Sequence, residues 1–199
     1  MAGLADLLEQ PVLDVAPRLL GAVVRHGGVA VRLTEVEAYD GPNDPGSHAF
    51  RGRTERNAVM FGPAGHLYVY FTYGMHFCAN VVCGPLGRPS AVLLRAGEVV
   101  DGVDIARSRR GSADRDLARG PARLCQALDI TRAANGADLT AGPVTLTLSE
   151  PSPAFETGPR VGLRQAADRP WRFWAPGEPS VSSYRPAKPP DASPRVGAC

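Results

Sequence analysis

The chain has 199 residues, 44% of them hydrophobic and 21% charged, with a net charge of +2. This is the composition of one ordinary globular domain, and it argues against a disordered or collagen-like chain. Lys188 is the only lysine among 22 basic residues, so a core without lysine has no amine for Schiff-base chemistry. Cys78, Cys83, Cys125 and Cys199 form no Cys-x-x-Cys pair and show no zinc-ligand spacing with histidine. They read as free, mostly buried thiols of a cytoplasmic protein, and no metal or cofactor is expected. The N-terminal residues carry no signal-peptide pattern, and no apolar run approaches a membrane span.

In chain order, Leu4, Leu7 and Leu8 give Ala2–Gln10 helical spacing, ended by Pro11. Asp14 is placed to cap a second short helix, VAPRLLG. Val29–Tyr39 alternates strictly, which puts Val29, Val31, Leu33, Glu35, Glu37 and Tyr39 on one strand face. A loop of about a dozen residues follows, and loops of that length in compact domains are functional or disordered. HLYVYFT and MHFCANVVC around a Tyr73-Gly74 turn predict a hairpin, and PSAVLLRA another strand. Asp101–Ile130 reads as helical, broken at Gly111 and Gly120-Pro121, and GPVTLTLSE, RVGL and WRFWA as short strands. From Arg185 the chain is Pro-rich and polar, a disordered tail by composition. The expectation is one α+β domain over residues 1–184, with a mainly antiparallel sheet, and a tail over 185–199.

Thirteen aromatic residues occur in the chain, and eight of them fall between Glu37 and Asn80, with His48, His66 and His76. Tyr68 and Tyr70 share a strand face. Tyr73 sits at the hairpin tip, either folded back over its own strands or inserted into a partner. Glu37 and Tyr39, two apart on a strand, suit a pocket in which a ring stacks on a flat substrate and an acid activates water. The alternative is a solvated strand face, and the pattern gives no preference for Glu37 over Glu35. Arg51, Arg53 and Arg56, with six arginines from Arg107 to Arg123, suit either phosphate neutralisation or a solvated helical face diluted by Asp104, Asp114 and Asp116.

The segments TEVEAYDGPNDPGSH, TERNAVMFGPAGHLYVYFTYGMHFCANVV, AVLLRA, GPARLCQAL, RVGL and RFW resemble, in order, the alkyladenine DNA glycosylases, also called mammalian-type 3-methyladenine DNA glycosylases. The resemblance runs from about Val29 to Ser182. It implies a small monomeric enzyme with a curved antiparallel sheet, surrounding helices and a protruding hairpin. Such an enzyme bends damaged double-stranded DNA at the minor groove, flips a purine and hydrolyses its glycosidic bond.

By motif, Glu37 activates the attacking water, with Arg95 and the Val161 carbonyl as its other holders. Tyr39, His48 and Tyr70 line the base pocket, and Asn80 crowds the exocyclic amino group of guanine. Tyr73 fills the gap in the duplex, bordered by Met75. His76 stands where the mammalian member has tyrosine, a departure that alters one DNA contact. With Lys188 in the tail, the implied enzyme is monofunctional and leaves an abasic site. A non-catalytic damaged-base-binding module and a hydrolase of free nucleosides are the competing readings. An intact Glu37 disfavours the first, and a hairpin-tip wedge would serve no purpose in the second.

Overall fold

The computed structural model describes residues 3–72 and 74–187. Tyr73 and residues 188–199 of the expected tail lie outside the described residues. Arg185 is described, and its carbonyl accepts the Gly162 N–H at 3.0 Å.

Among the described residues eight strands make one curled antiparallel sheet: β1 (Val23–His26), β2 (Val29–Tyr39), β3 (Leu67–Thr72), β4 (His76–Cys83), β5 (Ser90–Asp101), β6 (Thr145–Thr147), β7 (Glu156–Gly158) and β8 (Arg172–Trp174). The order is β3-β4-β5-β2-β1-β6, with β8 pairing both β2 and β7. One edge of β2 is divided: β1 pairs residues 29–32 and β8 pairs residues 35–37. Among the described residues four short helices surround the sheet: α1 (Leu4–Leu8), α2 (Val12–Arg18), α3 (Val103–Arg110) and α4 (Pro121–Ala127). The expected α+β class, single domain and protruding β3–β4 hairpin are all present.

Several local expectations are corrected. Asp14 does not cap α2; the helix begins at Val12 with Pro11 in the cap position, and Asp14 sits in the first turn. RVGL is not a strand. Gly162 adopts φ 73°, a left-handed turn conformation that favours glycine, and its N–H bonds the Arg185 carbonyl instead of a ladder. β1 and β7, of four and three residues, are strands that the sequence pattern does not predict.

The most consequential correction concerns β2. Val29, Val31 and Leu33 enter the main core with α1, α2 and α4 residues, but so do Val36 and Ala38. The register explains the change of phase. Leu33 pairs Gly97 and Glu35 pairs Ala96, which leaves Thr34 as an extra residue. Glu35 and Val36 then face Ala96 and Leu94, which leaves Arg95 extra on β5. Two opposed bulges therefore turn Glu35, Glu37 and Tyr39 to the face opposite Leu33. Bulges at functional sites commonly re-aim side chains in this way.

On the second face lies a smaller apolar cluster of Ala49, Met60, Tyr68, Val82 and Ala91, with Tyr70 packed against it. The thiols of Cys78, Cys83 and Cys125 are free and buried. Burial pushes that of Cys83 up to about 12.

Candidate active site

The bulged part of β2 places two fully buried carboxylates side by side, and their partners set them apart. Glu35 accepts four bonds: from Arg95 Nε at 2.8 Å, Arg172 Nε at 2.6 Å, and the Ser182 N–H and hydroxyl at 2.6 and 3.0 Å. A carboxylate offers about four lone-pair sites, so Glu35 has as many donors as sites, three of them on Oε1 and one on Oε2. Among the described residues Glu37 accepts only from the Tyr39 hydroxyl at 2.9 Å and the Val161 N–H at 2.8 Å. Arg95 Nε stands 3.5 Å from Glu37 Oε1. Glu37 therefore keeps acceptor capacity beside a cation, which suits a group that takes a proton from water. Burial, and then the Glu37 charge, raise the Tyr39 pKa well above its ordinary value, so Tyr39 stays a donor.

Next to Glu37 opens a cavity of about 90 Å³, lined by Tyr39, His48, Met60, Tyr68, Tyr70, Asn80 and Leu163 among others. One water needs about 10–15 Å³ by the same measure, so the space suits a small flat ring system. Its walls are aromatic. The His48 and Tyr70 rings meet edge-on at 4.6 Å, and Tyr68 and Tyr70 lie 5.6 Å apart. His48 Nδ1 is 3.0 Å from the Tyr68 hydroxyl. Asn80 is buried, and its Nδ2 donates to the Tyr68 carbonyl at 3.0 Å. That bond fixes the Asn80 amide in the cavity wall.

The long loop after β2 is ordered by buried polar groups. Asn57 Nδ2 donates to the carbonyls of His48 and Gly52, at 2.9 and 3.0 Å. Asp44 and Arg160, both fully buried, form a two-pronged ion pair that ties the loop to the segment carrying Val161. The Arg160 guanidinium also lies between the Tyr39 and Trp171 rings, 4.7 and 5.1 Å from their centroids. Gly46 has to be small here, because a Cβ would stand 2.9 Å from Arg160 Nη2 and from Leu163 Cδ1.

His48 is held neutral. Removal of its ring from water against the tyrosines, and then the positive Arg56, push its pKa down from 6.5 to about 4. NMR titration of the ring is expected to give a midpoint near that value. A midpoint near the ordinary 6.5 would contradict a neutral ring wall.

A second groove, about 440 Å³, shares Arg95 and Val161 with the carboxylate site and adds Arg119, Arg123, Ser182 and Arg185. Within the groove Arg119 and Arg123 pair with Asp116, and Arg119 also donates to the Val181 carbonyl; further arginines of the 107–123 run are likewise engaged within the fold. Arg107 pairs with Asp104 and Asp114, while Arg109 bonds the carbonyls of Ala127 and Gly27. Arg110 bonds Leu117 and Gln126. By contrast Arg51, Arg53 and Arg56 are exposed and make no ion pair among the described residues. Arg56 lies over Tyr70, 5.3 Å from the ring centroid.

Of the expected site residues, Glu37, Arg95, Val161, Tyr39, His48, Tyr70 and Asn80 fall in this one region. Met75 is 69% exposed near the hairpin tip, away from the cavity lining, and His76 beside it is also exposed. Tyr68, Met60, Leu163, Asp44, Arg160, Arg172 and Ser182 were not singled out. Only Tyr68 carried a signal, its period-two spacing with Tyr70. The arginines reach the carboxylates from more than 100 residues away in sequence.

Residues 6–179 match the family model described as methylpurine-DNA glycosylase. The chain belongs to that family. Among curated relatives, one from Streptomyces avermitilis is 56% identical over 192 residues, 90% of this chain and 90% of the relative. One from Leifsonia xyli subsp. xyli is 59% identical, over 87% of this chain and 88% of the relative. One from Frankia casuarinae is 54% identical, covering 93% and 94%. Each bears the provisional name 3-methyladenine DNA glycosylase. Among the described residues, no helix is long and apolar enough to cross a membrane.

Proposed function

We propose that this methylpurine-DNA glycosylase family member excises alkylated or deaminated purines from duplex DNA, working as a monomer beside the chromosome in the cytoplasm. The substrate class is 3-methyladenine, 7-methylguanine, hypoxanthine and ethenoadenine. The observation that carries the reading is Glu37, buried yet only half engaged, between Arg95 and an aromatic cavity.

The steps follow from the chemistry of the bond. A duplex hides the glycosidic bond, so the nucleotide must leave the stack, at a cost of a few kcal/mol that is least for damaged bases. Aromatic stacking returns about 1–3 kcal/mol per base, and π faces favour cationic methylated purines. Tyr73 is proposed as the side chain that fills the gap from the minor groove, bordered by Met75. Arg51, Arg53, Arg56 and the arginine groove supply cations for phosphates.

In the cavity, His48 and Tyr70 stack on the base. Asn80, in the cavity wall, disfavours normal guanine by crowding its exocyclic amino group. As the sugar gains oxocarbenium character, Glu37 stabilises the charge and takes a proton from water held also by Arg95 and the Val161 carbonyl. The water oxygen bonds C1′, and a cationic purine leaves as a neutral base.

The test compares duplex DNA with free nucleosides. Base release from methylated duplex but not from 3-methyladenosine supports the reading, and preference for the nucleoside overturns it. Lys188 is the sole lysine, and the proposed reaction attacks with water and not with an amine, so the abasic product is left uncut. A borohydride-trapped covalent complex with DNA would contradict monofunctional hydrolysis.

A further inference from the structure

We propose that Glu35 is a positioning residue for the reaction, acting through Arg95. It holds the guanidinium by Nε, so that Arg95 lines the arginine groove and Glu37 keeps its open acceptor sites. The inference rests on the proposed glycosylase reading and gives a task to the carboxylate that the motif left unassigned.

Arg95 Nε has two carboxylates within reach, Glu35 at 2.8 Å and Glu37 at 3.5 Å, and the hydrogen bond goes to Glu35. Among the described residues neither Nη of Arg95 donates to a protein acceptor, although the side chain is only 10% exposed. Arg95 lines the groove with Arg119, Arg123 and Ser182. Glu35 is itself fixed from three elements: β2, which carries it, β8 through Arg172, and the Ser182 segment. The bulge residue Arg95 is thus clamped by the strand that bulges opposite it.

The charges show what Glu35 prevents. Two arginines, Arg95 and Arg172, face two glutamates in one buried cluster. With Glu35 neutral, the nearest carboxylate to Arg95 would be Glu37, and arginine readily forms a bidentate pair with a carboxylate. Such a pair would occupy the acceptor sites that Glu37 needs for water. Glu35 therefore preserves the basic function of Glu37 and the orientation of Arg95 together.

The test is a double-mutant cycle on base release from a methylated duplex, under single turnover with enzyme in excess. Glu35→Gln is expected to slow release by about tenfold or more, with the enzyme concentration for half-saturation changed less than about threefold. In an Arg95→Met background the same substitution is expected to change the rate less than about twofold. An equal loss in both backgrounds, or a loss confined to half-saturation, overturns the proposal. If Glu35→Gln does not fold, Glu35→Asp keeps the charge but withdraws it by one methylene. Its smaller loss must likewise disappear in the Arg95→Met background. Wild-type release in the same assay separates the two claims, since an active wild type with an additive cycle removes the role of Glu35 alone.

Discussion

Replacing Glu37 with glutamine is expected to slow release of the damaged base by about 10²–10⁴-fold, the usual contribution of a positioned general base. The substitution is close to isosteric, so the cavity walls keep their shape. What changes is the chemistry at two atoms. Glutamine has no charge to oppose a forming oxocarbenium ion and no basicity toward water. It also presents an amide NH2 to one of the two donors that now reach the carboxylate, the Tyr39 hydroxyl or the Val161 N–H. A mismatched buried donor costs about 1–3 kcal/mol, which a domain with a large core tolerates. The check is the single-turnover rate beside the thermal midpoint. A folded variant that keeps a rate within about threefold of wild type would remove Glu37 from the chemistry.

Breaking the Asp44–Arg160 pair is expected to produce the largest loss of stability of any single change near the site. Both side chains are fully buried, and Arg160 stays held by the Ala38 carbonyl and by two aromatic rings when its partner goes. Asp44→Asn would leave that guanidinium uncompensated, at a cost of about 3–5 kcal/mol. For a protein of this size that corresponds to a melting midpoint lower by about 6–20 °C. The same change should slow base release, because the pair ties the His48 loop to the Val161 segment. Asp44→Leu combined with Arg160→Met removes both charges and should recover much of the midpoint without recovering activity. A midpoint within about 2 °C of wild type for Asp44→Asn would contradict the account.

The limits of β2 were legible from sequence, because eleven alternating residues end abruptly at Asp40-Gly41-Pro42. Which face its acids occupy was not, because the bulge at Thr34 arises from pairing with a strand 60 residues away. Pattern alone likewise gave no choice between Glu35 and Glu37. The family resemblance chose Glu37, and the structure adds the physical distinction that Glu35 holds four donors and Glu37 two. The arginine run from 107 to 123 looked like a phosphate surface or a solvated face. Much of it clamps backbone carbonyls and aspartates, and Arg119 and Arg123, which line the groove, also pair with Asp116. The Asp44–Arg160 pair spans 116 residues and leaves no periodic or motif signature.

The central claim is that the half-engaged Glu37 and the aromatic cavity together cut the glycosidic bond of a damaged purine in duplex DNA. Chromatography of the bases released from a methylated duplex by the purified protein tests it most directly. The account predicts free 3-methyladenine in solution and an unbroken strand carrying an alkali-sensitive abasic site. A protein that binds the same duplex yet releases no base above the buffer control would contradict it.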